Sequence, residues 1–423
     1  MNIVNLKKKY QIIPFILLSI AITFSPELNV TQIENGRMIV IRAEDILLIL
    51  FGLIWFFNFL IIKKFIIKKS PLFKPILIWL SFCTLSLIIN WLTYNITLPR
   101  GFFYFLKEIE FFFLYFFIFN KIKNKYFLEK ILNTWLGVGL CAIILIIYQF
   151  AKGIHYGAYG PGLFKEMGPL PSGGFFLILL ICFLNLFIYH YSRLKISKFK
   201  KNVIFIIIML FSMGVISSGS KASIIGMIAG ILLSLFIYLL KSNRKTAVIL
   251  MGVTIVTIGI TLFSLISKEV HYLRGLTDIH RMERSINNRE SIWKDQINDF
   301  SKKPEYFLIG MGKSIRLERH DESHSQYVRT LIETGLIGFS IFFFLICCIL
   351  KITKREIIKR QNSLTIGLSA GIFCSTIALL IVGVTAEVFL VVRIMMIYWF
   401  FVALTMFAIY NQKNNNKYEN LSK

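Results

Sequence analysis

Long apolar runs separated by short basic stretches make up most of this 423-residue chain. A membrane-spanning helix needs roughly 17 to 25 consecutive apolar residues, and about twelve runs of the chain approach that length. Because the runs lack the alternation of a membrane β-barrel strand, only helices fit them. The pattern therefore predicts an all-α polytopic membrane protein with about twelve transmembrane helices. The predicted span cores are Tyr10 to Phe24, Ile46 to Ile62, Ile76 to Leu92, Phe102 to Phe119, Ile131 to Phe150, Gly174 to Tyr189, Val203 to Ser217, Ala222 to Leu240, Ala247 to Ile266, Leu331 to Leu350, Leu364 to Phe389 and Ile394 to Ile409.

One long polar segment, between Asn287 and Gly338, interrupts this pattern. We expect residues 267–330 to form a large extracytoplasmic loop with short helices. Within it, Asn287 and Glu290 form a cap-like pair that predicts the start of a short helix on the membrane surface. The other predicted units are transmembrane helices 1–9 in residues 1–266, helices 10–12 in residues 331–410 and a cytoplasmic tail in residues 411–423.

The charges of the chain indicate its orientation. Lys and Arg number 48 against 22 Asp and Glu, a formal net charge of +26, which in a soluble chain would suggest nucleic-acid binding. Here the cations fall mainly in short loops on one side of the predicted spans. The positive-inside rule then places both termini in the cytoplasm and the large loop in the periplasm or outside the cell. We therefore expect membrane lipids, and no nucleic acid, as partners.

The run that follows Ser323 carries the sharpest chemical signal. Ser323 and Gln326 have the spacing of a capping box directly before an apolar run, which predicts a helix start with His324 in its first turn. A helix N-terminus attracts anions and disfavours a protonated imidazole. A neutral His324 beside an anion site is therefore a candidate general base.

Basic residues near the large loop are candidates for binding a pyrophosphate head group, because guanidinium groups bind phosphate oxygens bidentately. The alternative for each is contact with anionic lipid or plain solvation. Lys221, in SSGSKAS, stands at the outward start of a predicted helix, where a bound anion would offset the unfavourable helix dipole. An ordinary loop lysine is the alternative. The arginines are Arg274, Arg281, Arg284, Arg289, Arg316, Arg319 and Arg329.

Several other polar residues have structural explanations. Lys107 and Glu110 lie within a predicted span at a spacing that allows them to pair on one helix face. Glu387 and Arg393 stand at outward helix ends, where they line a common cavity or, for Arg393, snorkel to the interface. GMGKS at 310–314 lacks the first glycine of a phosphate-binding loop, because Phe307 stands there, so we expect a glycine-rich turn. The six cysteines lie inside apolar runs, and no metal-ligand spacing exists, so we predict neither a disulfide framework nor a protein-bound metal.

At His324 the sequence resembles the O-antigen ligase and O-antigen polymerase family of bacterial envelope membrane proteins. The resembling pattern is His324-Ser325, nine residues, Gly335, two residues and Gly338. Further similar segments are NNRESIW, FLIGMG, SSGSKAS and YGPGLFKEMGPLPSGG. In SSGSKAS the chain departs from the family, because Lys221 stands where arginine is common and a lysine cannot form the bidentate fork.

The resemblance implies a membrane-embedded glycosyltransferase of the bacterial cytoplasmic membrane that uses a polyprenyl-diphosphate-linked glycan as donor and needs no metal or other cofactor. His324 would remove the proton of the acceptor hydroxyl, and Arg289 would stabilise the leaving diphosphate. Direct displacement would invert the anomeric centre, since no carboxylate pair suggests double displacement. Further diphosphate-binding residues would be Lys221, Arg284, Arg316 and Arg319.

The acceptor stays open between two enzymes of this family. A polymerase transfers the glycan to another lipid-linked repeat unit, and the long basic loop favours it, with a chain-length regulator protein as a further partner. A ligase transfers the glycan to lipid A core, and the His-Ser spacing favours that. A polysaccharide or lipid transporter is the alternative from another class, but the sequence shows no half-to-half symmetry.

Overall fold

The computed structural model describes residues 11–25, 27–32, 38–62, 68–93, 96, 98–151, 169–240, 279–313, 315, 323–359 and 362–421. Its strands are β1 Glu27–Gln32 and β2 Met38–Arg42. Its helices are α1 Ile13–Phe24, α2 Ala43–Ile62, α3 Phe73–Leu92, α4 Leu98–Lys121, α5 Lys125–Ala151, α6 Pro169–Tyr189, α7 Lys198–Ser217, α8 Lys221–Leu239, α9 Ile279–Phe300, α10 Pro304–Ile309, α11 Gln326–Lys359, α12 Ser363–Val382 and α13 Val392–Leu421. Short 3₁₀ turns lie at Tyr191–Arg193 and Val388–Leu390.

Eight helices in the described part of the chain are long and apolar enough to cross a membrane, judged by length and composition. Each overlaps one of the predicted spans, so the helical polytopic membrane fold is confirmed. These helices are α3, α5, α6, α7, α8, α11, α12 and α13.

The other predicted spans leave the number twelve a prediction. The helix α1 is apolar but only 12 residues long. The intervals predicted around Ile46 to Ile62 and Phe102 to Phe119 are helical, as α2 and α4. The side chains at the end of α2 lie outside the described part, and α4 carries charged residues within its apolar run. Ala247 to Ile266 lies outside the described residues, as do residues 267–278, 314 and 316–322 of the predicted large loop.

One β-hairpin accompanies the helices of this predominantly helical fold, and it was not predicted. Strands β1 and β2 lie in the connection between α1 and α2. They pair in antiparallel orientation, with Glu27 opposite Arg42. The segments ELNVTQ and MIVIR are rich in β-branched residues, which favour extended backbone. Both strands are too short to be recognised by a criterion that looks for apolar runs long enough to span a bilayer.

Helices α6 and α13 lie in the middle of the bundle, where almost every side chain is buried. Aromatic rings fill the space between them and α5: the Trp135 ring centroid lies 5.1 Å from that of Phe400 and 5.7 Å from that of Phe401. Such rings contribute both buried area and favourable edge-to-face contacts. Helices such as α2 and α8 instead expose leucine and isoleucine on one side, as expected for surfaces that face lipid.

Small residues set the packing of α8 against α12. A Cβ at Gly226 would lie 2.6 Å from Cγ2 of Val382. Glycine therefore allows the two backbones to approach closely, as is common between membrane helices. Because Gly226 lies near the start of α8 and Val382 ends α12, Lys221 lies at the same end of the bundle as the connection from Gly383 to Val391.

Candidate functional site

A break in α11 creates the frame of the candidate site. Gly335 has φ 64° and ψ −174°, which divides α11 into a half-helix that begins at Gln326 and a longer helix that continues to Lys359. Breaking a helix frees carbonyl groups that need new partners within a membrane protein. The Ile332 and Glu333 carbonyls accept hydrogen bonds from the backbone N–H groups of Met311, at 2.8 Å, and Gly312, at 3.1 Å.

The glycines of the resembling motifs have physical roles in this break. A Cβ at Gly310 would lie 2.4 Å from the Glu333 carbonyl oxygen, and a Cβ at Gly335 would lie 2.4 Å from the Leu308 carbonyl. A Cβ at Gly338 would lie 2.5 Å from the Phe82 ring of α3. The segment FLIGMG and the backbone around Gly335 are therefore the two sides of one close contact, and Gly338 gives room for the Phe82 ring. The expected glycine-rich turn at 310–312 is confirmed, since Gly310 and Gly312 both have positive φ.

The predicted capping box is wrong. The helix begins at Gln326, and His324 stands before it with φ 49° in a turn, not in the first helical turn. In the described part of the chain the buried Ser323 hydroxyl has no hydrogen-bond partner, so it does not cap the helix. Positive φ in a non-glycine residue costs about 1 kcal/mol or more, and neighbouring contacts must hold it.

Tertiary contacts, in place of a local cap, fix the start of the half-helix. The Gln326 backbone N–H donates to the Gly383 carbonyl at 2.8 Å, and the Gln326 side-chain oxygen accepts from the Phe389 N–H at 3.0 Å. The exposed His324 ring is therefore held at the end of the bundle that also carries the start of α8.

Helix α9 brings Arg289 to this turn. The indole N–H of Trp293 donates to the Ser323 carbonyl at 2.6 Å. Arg289 precedes Trp293 by four residues, so both lie on one face of α9. Half-burial lowers the pKa of the Arg289 guanidinium without discharging it near neutrality. Among the described residues this guanidinium has no hydrogen-bond or ion-pair partner, which suits a cation that awaits an anion.

The start predicted for this helix is wrong: α9 begins at Ile279, eight residues before Asn287. The polar residues that resembled a cap lie inside the helix. The apolar and polar residues of α9 follow a strong helical periodicity that extends through Asn287 and Glu290. This pattern determines the helix more than the local cap-like pair does.

Lys221 is the first residue of α8, as predicted. The preceding Ser220 caps the helix by accepting from the Ser223 N–H at 3.3 Å. Gly173 packs against the hydroxyls of Ser218 and Ser223, so the segment YGPGLFKEMGPLPSGG ends on the segment SSGSKAS. Two of the resembling segments therefore meet at the start of α8.

The remaining predicted diphosphate ligands cannot be placed by their side chains. Arg284 belongs to α9, but its side chain lies outside the described part, as does that of Arg281. The residues outside the described ranges altogether are Arg274, Arg316 and Arg319.

Arg329 is not an exposed phosphate ligand, which corrects its inclusion among the loop arginines. Its guanidinium is buried and pairs with the carboxylates of Glu333, at 2.9 Å, and Glu387. Arg393 is buried as well and donates to the carbonyls of Ile22 and Ser25. Arg393 therefore does not snorkel to the interface, because its helix end faces other helices that offer buried acceptors.

A second buried ion pair was missed by the sequence analysis. Lys313, in the turn after Gly312, pairs with Glu108 of α4 and lies 5.1 Å from the centre of the Trp79 ring. Burial by itself disfavours the ammonium, but the carboxylates of Glu108 and Glu333 outweigh it and raise the pKa of Lys313. The available signal was Glu108 itself, a carboxylate within a predicted span. Its partner is 205 residues away, beyond the reach of a local pattern.

The pair predicted within the same helix is confirmed. The Lys107 ammonium lies 2.9 Å from a Glu110 oxygen and 2.6 Å from an oxygen of Asp45 in α2. Charges at membrane depth in this part of the chain are thus paired, as their desolvation requires.

A cavity of about 50 Å³ lies between the half-helix and α3, α4 and α13. Its polar lining includes Glu108, Lys313, Gln326 and Thr330, and aromatic side chains form a further part of its lining. It can hold a few waters. Within the described ranges, no group of three or more His, Cys, Asp or Glu side chains could hold a metal ion.

The structure thus brings together the turn of His324 and the helix of Arg289, whose guanidinium has no partner among the described residues, next to a charged, aromatic-lined interior. Residues 204–343 match a protein-family model described as O-antigen ligase, and this range contains Lys221, Arg289, His324 and the break at Gly335. A search among curated proteins gave no match.

Proposed function

We propose that this chain, whose residues 204–343 match a family model described as O-antigen ligase, belongs to the family of O-antigen ligases and polymerases and is a membrane glycosyltransferase that elongates an envelope polysaccharide. The donor is a polyprenyl-diphosphate-linked glycan, and the acceptor is a hydroxyl of another lipid-linked repeat unit. The enzyme works at the outer face of the bacterial cytoplasmic membrane.

The observation that carries this proposal is the hydrogen bond from Trp293 to the Ser323 carbonyl. It joins the helix of Arg289 to the turn of His324, which supports a common site for the proposed base and the proposed diphosphate ligand. Neither His324 nor Arg289 forms an ion pair within the described part of the chain, whereas Arg329 does.

The chemistry follows from these two groups. His324 takes the proton of the acceptor hydroxyl as its oxygen bonds to the anomeric carbon. The bond from that carbon to the diphosphate oxygen breaks, and the electron pair leaves with the polyprenyl diphosphate. Arg289 and Lys221 stabilise the charge on this leaving group, since fixed cations act strongly where water is excluded. One displacement opposite the leaving group inverts the anomeric centre, and no step needs a metal.

The basic character of the loop supports the polymerase, because two diphosphate-linked glycans must be held at once. The ligase is the second candidate, because the matching family model is described by that activity and the His-Ser spacing favours it. The two enzymes share the donor and the proposed residues and differ in the acceptor.

Envelope polysaccharide profiles on gels test the proposal in the native host. Strains with the gene deleted, with wild type and with His324→Ala are compared at equal protein amounts. The polymerase predicts that deletion and His324→Ala both leave a single repeat unit on lipid A core. The ligase predicts bare core with long polymer on the carrier lipid. An unchanged ladder in His324→Ala would exclude His324 as the base and favour a transporter.

A further inference from the structure

Two hydrogen bonds hold the turn of His324 from its two sides. On one side Trp293 binds the Ser323 carbonyl, and on the other the Gln326 N–H binds the Gly383 carbonyl. Between them His324 has φ 49°, a backbone conformation that side-chain-bearing residues rarely adopt. Such a conformation persists only where the surroundings fix it.

The Gln326 side chain also holds this turn in place. It is buried, and its oxygen accepts from the Phe389 N–H at 3.0 Å while its nitrogen donates to the Thr330 hydroxyl at 3.0 Å. Only a neutral group with one acceptor and one donor satisfies both partners. The Thr330 hydroxyl donates its own proton to the Gln326 backbone carbonyl at 2.7 Å, so it needs a donor from the side chain at position 326. A leucine therefore satisfies neither partner, and a carboxylate satisfies only Phe389.

Gly383 and Phe389 belong to the same connection, between α12 and α13. Gln326 therefore joins the first residue of the half-helix to both ends of that connection. One turn later Arg329 pairs with Glu387, in the middle of the connection. The start of the half-helix and this connection thus move as one unit.

We propose that Gln326 is a positioning residue for His324, which sets the place of the imidazole relative to Arg289 by joining the half-helix to the connection after α12. The inference rests on the proposed function. Gln326 touches no substrate in this account and acts through the residue two positions before it. A displacement of about 1 Å at a catalytic group lowers a rate by up to about a hundredfold.

Asn185 provides a matched control. Its side chain is fully buried in α6 and donates to the Ser234 hydroxyl at 2.8 Å and the Ile181 carbonyl at 2.9 Å. Asn185→Leu removes a buried amide of the bundle, as Gln326→Leu does, but at the opposite end of α6 from the start of α8. A role in folding alone predicts equal effects of the two variants.

A glutamate variant gives a readout that loss of stability would not move. In Gln326→Glu a protonated carboxyl keeps both hydrogen bonds, whereas the ionised carboxylate loses the one to Thr330. The transfer rate of Gln326→Glu divided by the wild-type rate should rise as pH falls, because burial favours the protonated form. The other charged groups that face this site are present in both proteins, so dividing by the wild-type rate removes their common contribution; they are Glu108, Lys313, Arg329, Glu333 and Glu387.

The experiment uses membranes of the native host, whose own lipid-linked glycan is the substrate. Initial rates of long-polysaccharide formation are divided by protein amount from immunoblots. We expect the rate per amount of protein to be about ten- to a hundredfold lower in Gln326→Leu than in wild type. The rate of Asn185→Leu should stay within about twofold of wild type. For Gln326→Glu, we expect the ratio to wild type to rise at least about threefold between about pH 8 and about pH 5.5.

Equal rates for Gln326→Leu and Asn185→Leu would overturn the inference, as would a flat ratio for Gln326→Glu. If Gln326→Leu does not accumulate, the glutamate ratio alone decides. Failure of the proposed function is distinguishable, because His324→Ala membranes would then form polysaccharide at the wild-type rate.

Discussion

Replacement of Gly335 by alanine should separate the two halves of the backbone contact that frames the site. The added Cβ would lie 2.4 Å from the carbonyl carbon and oxygen of Leu308, which no side-chain rotation can relieve. The positive φ of Gly335 adds a strain of roughly 1–2 kcal/mol for alanine. Moving the turn away weakens the hydrogen bonds from Met311 and Gly312, each worth about 1 kcal/mol. The expected loss is therefore about 3–4 kcal/mol of unfolding free energy.

Thermal unfolding of the purified protein in one detergent measures this loss. A decrease in Tm of about 3–4 °C is expected for Gly335→Ala, roughly 1 °C per kcal/mol for a chain of 423 residues. Gly137→Ala is the matched control, because no atom outside its own helix surroundings lies within 4 Å of the Cβ that would be added. It should be neutral or slightly stabilising, since alanine favours helix more than glycine. Equal Tm values for Gly335→Ala and wild type would refute the argument.

Three further outcomes follow from the charged groups. Arg289→Ala should lower the transfer rate in host membranes about a hundredfold or more, whereas Lys294→Ala, which removes a charge from the exposed face of the same helix, should leave it nearly unchanged. Lys313→Met should cost about 3–5 kcal/mol of stability by leaving Glu108 buried without its partner, and adding Glu108→Gln should recover part of the loss in Tm. Because the folded pKa of Lys313 is raised, its contribution to stability is complete below the unfolded lysine pKa; Tm differences between wild type and the double variant Lys313→Met/Glu108→Gln, which leaves no unpaired carboxylate, should therefore be constant from about pH 6 to about pH 9.

The predicted spans rest on a property that the sequence carries directly. Lipid requires long apolar helices, so each run of sufficient length in the described part, such as Ile76 to Leu92, appears as a helix near its predicted place. The hairpin at Glu27–Gln32 and Met38–Arg42 was missed because a few β-branched residues among apolar runs carry too weak a signal.

The candidate site was predictable in its residues but not in its geometry. The pairing of Arg289 and His324 came from the resembling motifs, whereas the start of the half-helix was predicted wrongly. A capping box is a local preference, and here the carbonyl of Gly383 replaces it. Lys313 pairs with Glu108 and Arg329 pairs with Glu387. These partners are distant in sequence, so only the three-dimensional structure assigns them.

The most direct test of the account is the rate of glycosidic bond formation by the purified protein in lipid nanodiscs, with lipid-linked glycan extracted from the host. Wild type and His324→Ala are compared at saturating donor. The account predicts that His324→Ala lowers the rate about a hundredfold or more, the range expected for loss of a general base. A His324→Ala rate close to that of wild type would contradict the assignment of His324 as the base.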